Sequence, residues 1–151
     1  SEALPAPSLP SFYSQVGGSQ TIGDTATALI QYSTSETGGF DTNSFFSGAS
    51  AYEYFPTIAG KYFVSASVSA YSSGVSNLYA LEVYLYKGTT IIARAKFDSR
   101  MAQVYQHTPV VNAIVAMDGS SHKLTVQCYA NTVSSSVTVI NGNFMAYQIS
   151  L

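Results

Sequence analysis

The chain has 151 residues, enough for one domain with a continuous core, and its 46% hydrophobic content argues against a disordered chain. Charged residues supply only 9%, against the roughly 25% usual in soluble domains, and the net charge is −2. A surface built from Ser, Thr, Asn, Gln and Tyr, with little self-repulsion, fits a permanent assembly better than a free monomer.

In chain order, Pro5, Pro7 and Pro10 oppose helix and sheet interior, so residues 1–20 read as an extended N-terminal arm with apolar hooks at Leu4, Leu9, Phe12 and Tyr13. The first residues carry no basic group and no apolar run, so no secretory signal is expected. The domain is expected over 21–151. Thr25 to Ser33 alternates with Ala26, Ala28 and Ile30 in one phase, and Glu36 to Phe40 is a turn. Asn43 to Ser50 reads as a long connection, and Tyr52 to Phe55 as a short strand stopped by Pro56.

Lys61 to Ala70 is the clearest strand, with Tyr62, Val64, Ala66, Val68 and Ala70 on one face and serines on the other. Leu78 to Tyr86 turns at Lys87-Gly88 into Thr89 to Lys96, a hairpin. Val110 to Met117, Lys123 to Ala130 and Val133 to Ile140 follow. Asn141-Gly142 has the signature of a second tight hairpin into Phe144 to Leu151, where Met145, Tyr147, Ile149 and Leu151 share a face. No window carries a helical apolar stripe. The expected class is all-β, a two-sheet sandwich or jelly roll.

Chemistry-bearing groups are sparse. His107 and His122 read as solvated loop residues without the partners a zinc motif needs, and no nucleophile elbow, phosphate loop or dinucleotide fingerprint occurs. Asp41, Asp98 and Asp118 read as turn-capping carboxylates. Cys128, in phase with Leu124 and Val126, reads as a buried apolar residue. Six scattered basic residues cannot follow a phosphate backbone, and Arg94, Lys96 and Arg100 suit a protected strand edge. No stretch reaches the ~20 apolar residues of a membrane helix. No enzyme activity, cofactor, metal, nucleic-acid or membrane partner is expected.

From Phe40 to Leu151 the chain resembles the C1q/TNF-like jelly-roll family, especially the versions found in tailed-phage virion proteins. The likeness rests on Phe55-Pro56-Thr57-Ile58-Ala59-Gly60-Lys61-Tyr62-Phe63-Val64-Ser65-Ala66, on Val83 to Arg94 around the Lys87-Gly88 turn, and on Asp118-Gly119 to Val126 followed by Asn141 to Ile149. Ala146 stands where many relatives have Gly. No collagen-like Gly-X-Y stem stands before Phe40, which counts against a complement-type or secreted hormone-type role, the third and less favoured expectation. The resemblance implies a ten-stranded jelly roll that forms a homotrimer, and, since some C1q-like relatives hold calcium, it makes Asp41, Asp98 or Asp118 a candidate for weak calcium binding beside the simpler turn-capping reading. Twelve tyrosines without a tryptophan agree with a buried intersubunit surface, for which Tyr79, Tyr84, Tyr86, Tyr129 and Tyr147 are the candidates.

The expected role is a trimeric capsid decoration or cement protein of a tailed phage, located on the virion. Its arm, through Leu4, Pro5, Pro7, Leu9, Pro10, Phe12 and Tyr13, would contact the major capsid protein or another virion protein. The alternative is the receptor-binding head of a tail or capsid fibre, recognising bacterial surface glycan through loop tyrosines such as Tyr71 or Tyr105.

Overall fold

Residues 9–72 and 77–151 are described by the computed structural model, and among them no residue is helical. The strands in chain order are β1 (Ser11–Val16), β2 (Gln20–Gly23), β3 (Ala26–Leu29), β4 (Tyr32–Ser33), β5 (Phe40–Asp41), β6 (Phe46–Ser47), β7 (Glu53–Tyr54) and β8 (Gly60–Ser67). There follow β9 (Ser69–Ser72), β10 (Leu78–Lys87), β11 (Thr90–Asp98), β12 (Gln106–His107), β13 (Val110–Met117), β14 (Leu124–Thr132), β15 (Ser136–Asn141) and β16 (Asn143–Ser150).

They form two layers. The front sheet has the order β13-β8-β16-β1-β4, with β5 beside β4 on the same edge of β1. A smaller sheet, β12-β9-β15-β2, continues it, because each of its strands adjoins in sequence the front strand in the same place. The back sheet runs β11-β10-β14, then β3 and β7 on the far edge of β14, with β6 outside β7.

Period-2 burial makes these strands. In β8 and β14 every second side chain is buried: Tyr62, Val64 and Ala66 from the front, Leu124, Val126, Cys128 and Ala130 from the back. Leu81, Val83 and Leu85 of β10 meet them, and each such side chain fully removed from water contributes about 1.5–3 kcal/mol. The Lys87-Gly88 hairpin forms as the sequence predicts, with Lys87 opposite Thr90 and Gly88 at φ 61°.

Three expectations change. Asn141-Gly142 is a bend between sheets rather than a hairpin: β15 pairs with β9 and β2, while β16 pairs with β8 and β1. Gly142 sits at φ 146° against the Ser67 carbonyl, where a Cβ would collide, and its own carbonyl accepts from Val16 N at 3.0 Å. The strand expected over Lys61 to Ala70 breaks at Val68 on the same line, where Val68 N donates to the Pro109 carbonyl at 3.3 Å.

The third change concerns the arm. Ser11–Val16 is a strand inside the front sheet, so the sandwich begins well before residue 21. Phe12 is 1% exposed and stacks on Tyr54 at 4.2 Å and on Phe46 at 5.2 Å, with Phe144 edge-on at 5.0 Å. Ser14 is buried as well, its hydroxyl donating to the Phe144 carbonyl at 2.8 Å. Leu4, Pro5 and Pro7 lie outside the described residues.

Candidate functional site

Register gathers apolar side chains into two neighbouring rows on the outer face of the front sheet. Opposite residues of neighbouring strands point the same way, and Ile114, Phe63 and Tyr147 form one cross-strand row over β13, β8 and β16. Asn112, Ser65, Met145 and Tyr13 form the next row, reaching β1. Ile114 is 66% exposed, Tyr147 is 41% exposed, and the Phe63 and Tyr147 rings lie 5.4 Å apart.

The strand β16 explains why this face is apolar. Its inward phase holds Phe144, Ala146 and Gln148, and its outward phase holds Met145, Tyr147 and Ile149. The inward phase thus carries the amide, which the fold satisfies: Gln148 Nε2 donates to the carbonyls of Ala59 (3.1 Å) and Ser150 (3.3 Å). Large apolar groups on the water side, with an amide inside, reverse the usual order.

The outer face of the back sheet differs. Lys96, Glu82, Tyr129 and Thr27 make one row across β11, β10, β14 and β3, and Arg94, Tyr84, Gln127 and Leu29 the next. Lys96 Nζ stands 4.0 Å from Glu82 Oε1. Burial, followed by a hydrogen bond to Glu82, pushes the Tyr84 phenol up to about 12. The Tyr84 and Tyr86 rings meet edge-on at 6.4 Å.

The tyrosines singled out in the sequence therefore do not come together. Tyr84, Tyr86 and Tyr129 lie on the outer face of the back sheet, while Tyr79 is half-buried at a bulge of β10. Tyr147 alone lies on the front. Of the arm residues, Phe12 is core, Pro10 is buried with its carbonyl accepting from Gln148 N at 2.9 Å, Tyr13 faces outward beside Met145, and Leu9 is exposed. Phe63, Ile114 and Met145 were missed. For Met145 the signal that could have found it is the greater apolarity of the β16 phase opposite Gln148, whereas Phe63 and Ile114 join the row only through strand pairing.

The remaining groups have local tasks. Asp118 Oδ1 accepts from the amides of Ser120, Ser121 and His122 at 3.0, 2.9 and 3.0 Å, and Oδ2 from the Ser121 hydroxyl. These bonds, the Ser121 hydroxyl first, hold its carboxyl far below the ordinary carboxylate range. Asp98 pairs with Arg100 at 2.6 Å, and Asp41 Oδ2 accepts from Phe46 N at 2.7 Å. Asp41, Asp98 and Asp118 thus cap three separate turns, and among the described residues no group of His, Cys, Asp and Glu could hold a metal ion.

His122 Nδ1 accepts from Asp118 N at 3.1 Å. His107 is not a loop residue: it lies in β12, half-buried and stacked on Phe97 with ring centres 3.5 Å apart, and desolvation lowers its pKa. Cys128 is fully buried and its thiol is pushed up to about 12, by burial first and then by Glu82. Arg94 and Lys96 are exposed on β11, the edge strand of the back sheet. Tyr71 and Tyr105 stack at 5.4 Å near the end of the smaller sheet.

No protein-family model matches the chain, and no curated protein matches it. Among solved structures, the crystal structure of murine APRIL at pH 5.0 is similar with a TM-score of 0.62 and 7% identity, over 94% of this chain and 100% of that one. The fold is accordingly an all-β TNF/C1q-like jelly roll.

Proposed function

We propose that the chain is a non-catalytic structural module that assembles as a homotrimer through the outer face of its front sheet, and that it serves as a virion surface protein of the capsid-decoration type. The apolar row Ile114–Phe63–Tyr147, continued by Met145 and Tyr13, carries the assembly reading. An open apolar surface on a chain with few charges associates unless something covers it. The charged back face, with Glu82, Arg94 and Lys96, is better suited to solvent. The virion role draws its support from the resemblance of the Phe55 to Ala66, Val83 to Arg94 and Asn141 to Ile149 stretches to phage proteins. A permanent place in an assembly also suits the hydroxyl-rich surface.

Sedimentation equilibrium tests the assembly: the expected mass is three times 16.0 kDa, and Ile114→Glu reduces it to that of one chain while Tyr84→Glu leaves it trimeric. A wild-type chain that stays monomeric at high concentration overturns the reading. The capsid contact is tested by deleting residues 1–8, which stops short of the Phe12 core position. The deletion is expected to keep the trimer and lose capsid occupancy. Full occupancy by the shortened chain refutes the contact.

A further inference from the structure

A second surface feature, away from the front-sheet rows, has the chemistry of a ligand site. An open cleft of about 210 Å³ lies where β1 leaves the front sheet for β2, and its lining includes Gly17, Gly18, Ser19, Gln31, Tyr32 and Tyr52. No ionisable side chain other than the two tyrosines lines it.

Three uncharged hydrogen-bonding side chains in the cleft are unused by the fold. Among the described residues, no hydrogen bond engages the side chains of Ser19, Gln31 or Tyr52. Gln31 spends only its backbone: its N donates to Gln20 Oε1 at 3.1 Å, and its carbonyl accepts from Gly17 N at 3.2 Å. An amide, a hydroxyl and a phenol thus converge on one opening while the chain behind them is already satisfied.

Tyr52 is held there against its backbone preference. Its φ is 48°, a left-handed conformation that a bulky residue rarely adopts, immediately before β7. Such outliers cluster at ligand sites, where surrounding structure over-determines them. Gly18, at φ 144°, has open space where a Cβ would stand, which leaves the mouth unobstructed.

We propose that this cleft binds a neutral saccharide, one sugar ring lying against Tyr52 with its hydroxyls bonded to Gln31, Ser19 and the local backbone amides. An aromatic ring beside amide and hydroxyl groups, without charge, matches the alternating apolar faces and hydroxyl edges of a sugar. Gly17 lies close to the Glu36 carboxylate, whose charge disfavours an anionic sugar at the same mouth. The inference goes beyond assembly and does not rest on it, since every lining group comes from one chain.

Titration of the full-length ¹⁵N-labelled protein with galactose, N-acetylglucosamine and glucuronate tests it. The expected result is a saturable shift of the Gly17, Gly18, Ser19 and Gln31 amides with at least one neutral sugar and none with glucuronate. Tyr52→Gly suits the positive φ, so it preserves the fold, and is expected to weaken binding at least tenfold. Gln31→Ala gives an independent loss should the glycine variant fold poorly. Absence of saturable shifts with both neutral sugars, shifts centred elsewhere, or undiminished binding by both variants overturns the proposal. A monomeric protein that still binds would refute the trimer and leave the sugar site standing.

Discussion

Replacing Phe12 by alanine distinguishes a sandwich strand from a peripheral arm. The ring is 1% exposed and touches three other aromatic rings, at 4.2, 5.0 and 5.2 Å. Truncating a buried Phe costs about 3–5 kcal/mol through lost transfer energy and the cavity left behind. The aromatic pairs, worth about 0.5–1.5 kcal/mol each beyond area, put this site at the upper end. At about 2–4 °C per kcal/mol for a chain of this size, a 4 kcal/mol loss lowers Tm by roughly 8–16 °C. Urea unfolding at one fixed protein concentration measures it, since assembly makes stability concentration-dependent. Leu9→Ala, at an exposed position, is the control and is expected to stay within about 0.5 kcal/mol. A Phe12→Ala cost below about 1 kcal/mol would refute the placement of β1 in the core.

Gly142→Ala places a Cβ against the Ser67 carbonyl at φ 146°; backbone strain of about 1–3 kcal/mol plus the collision lowers the denaturation midpoint, and an unchanged midpoint would contradict the close approach of Gly142 to Ser67. Burial raises the Cys128 thiol to about 12, so a thiol reagent at pH 8 labels it only after unfolding; labelling of the native protein within the mixing time would contradict its burial. Asp118 titrates far below its unfolded value of about 3.9, so its contribution to stability is complete above that value and is lost as pH falls toward the folded pKa. The stability gap between wild type and Asp118→Asn is therefore expected to narrow below about pH 4, and a gap independent of pH would count against the carboxylate turn.

Strands with one core phase were legible in the sequence. β8, β10 and β14 alternate because one face is buried, and Lys87-Gly88 supplies the backbone its hairpin requires. β1 was hidden because its buried phase, Phe12, Ser14 and Val16, contains a polar residue satisfied only by a strand 130 positions away. Its outward phase adds Tyr13, so no alternation survives. Asn141-Gly142 misleads for a related reason. A glycine with positive φ serves a tight turn or a close approach equally well, and only the Ser67 carbonyl, distant in sequence, decides between them.

The tyrosines divide the same way. Their phase opposite the core was readable for Tyr84, Tyr86 and Tyr129, but which sheet each belongs to depends on pairing that spans the chain. The apolar outer face was written in β16 as Met145, Tyr147 and Ile149 opposite Gln148, and it reads as interface only once the inward amide is seen to be satisfied.

The most direct test of assembly through the front sheet is photo-crosslinking with a photoreactive amino acid placed at position 114 or, separately, at position 84. Crosslinked dimers and trimers from position 114, with monomer from position 84, are the predicted result. Multimers formed from position 84 while position 114 stays monomeric would contradict it.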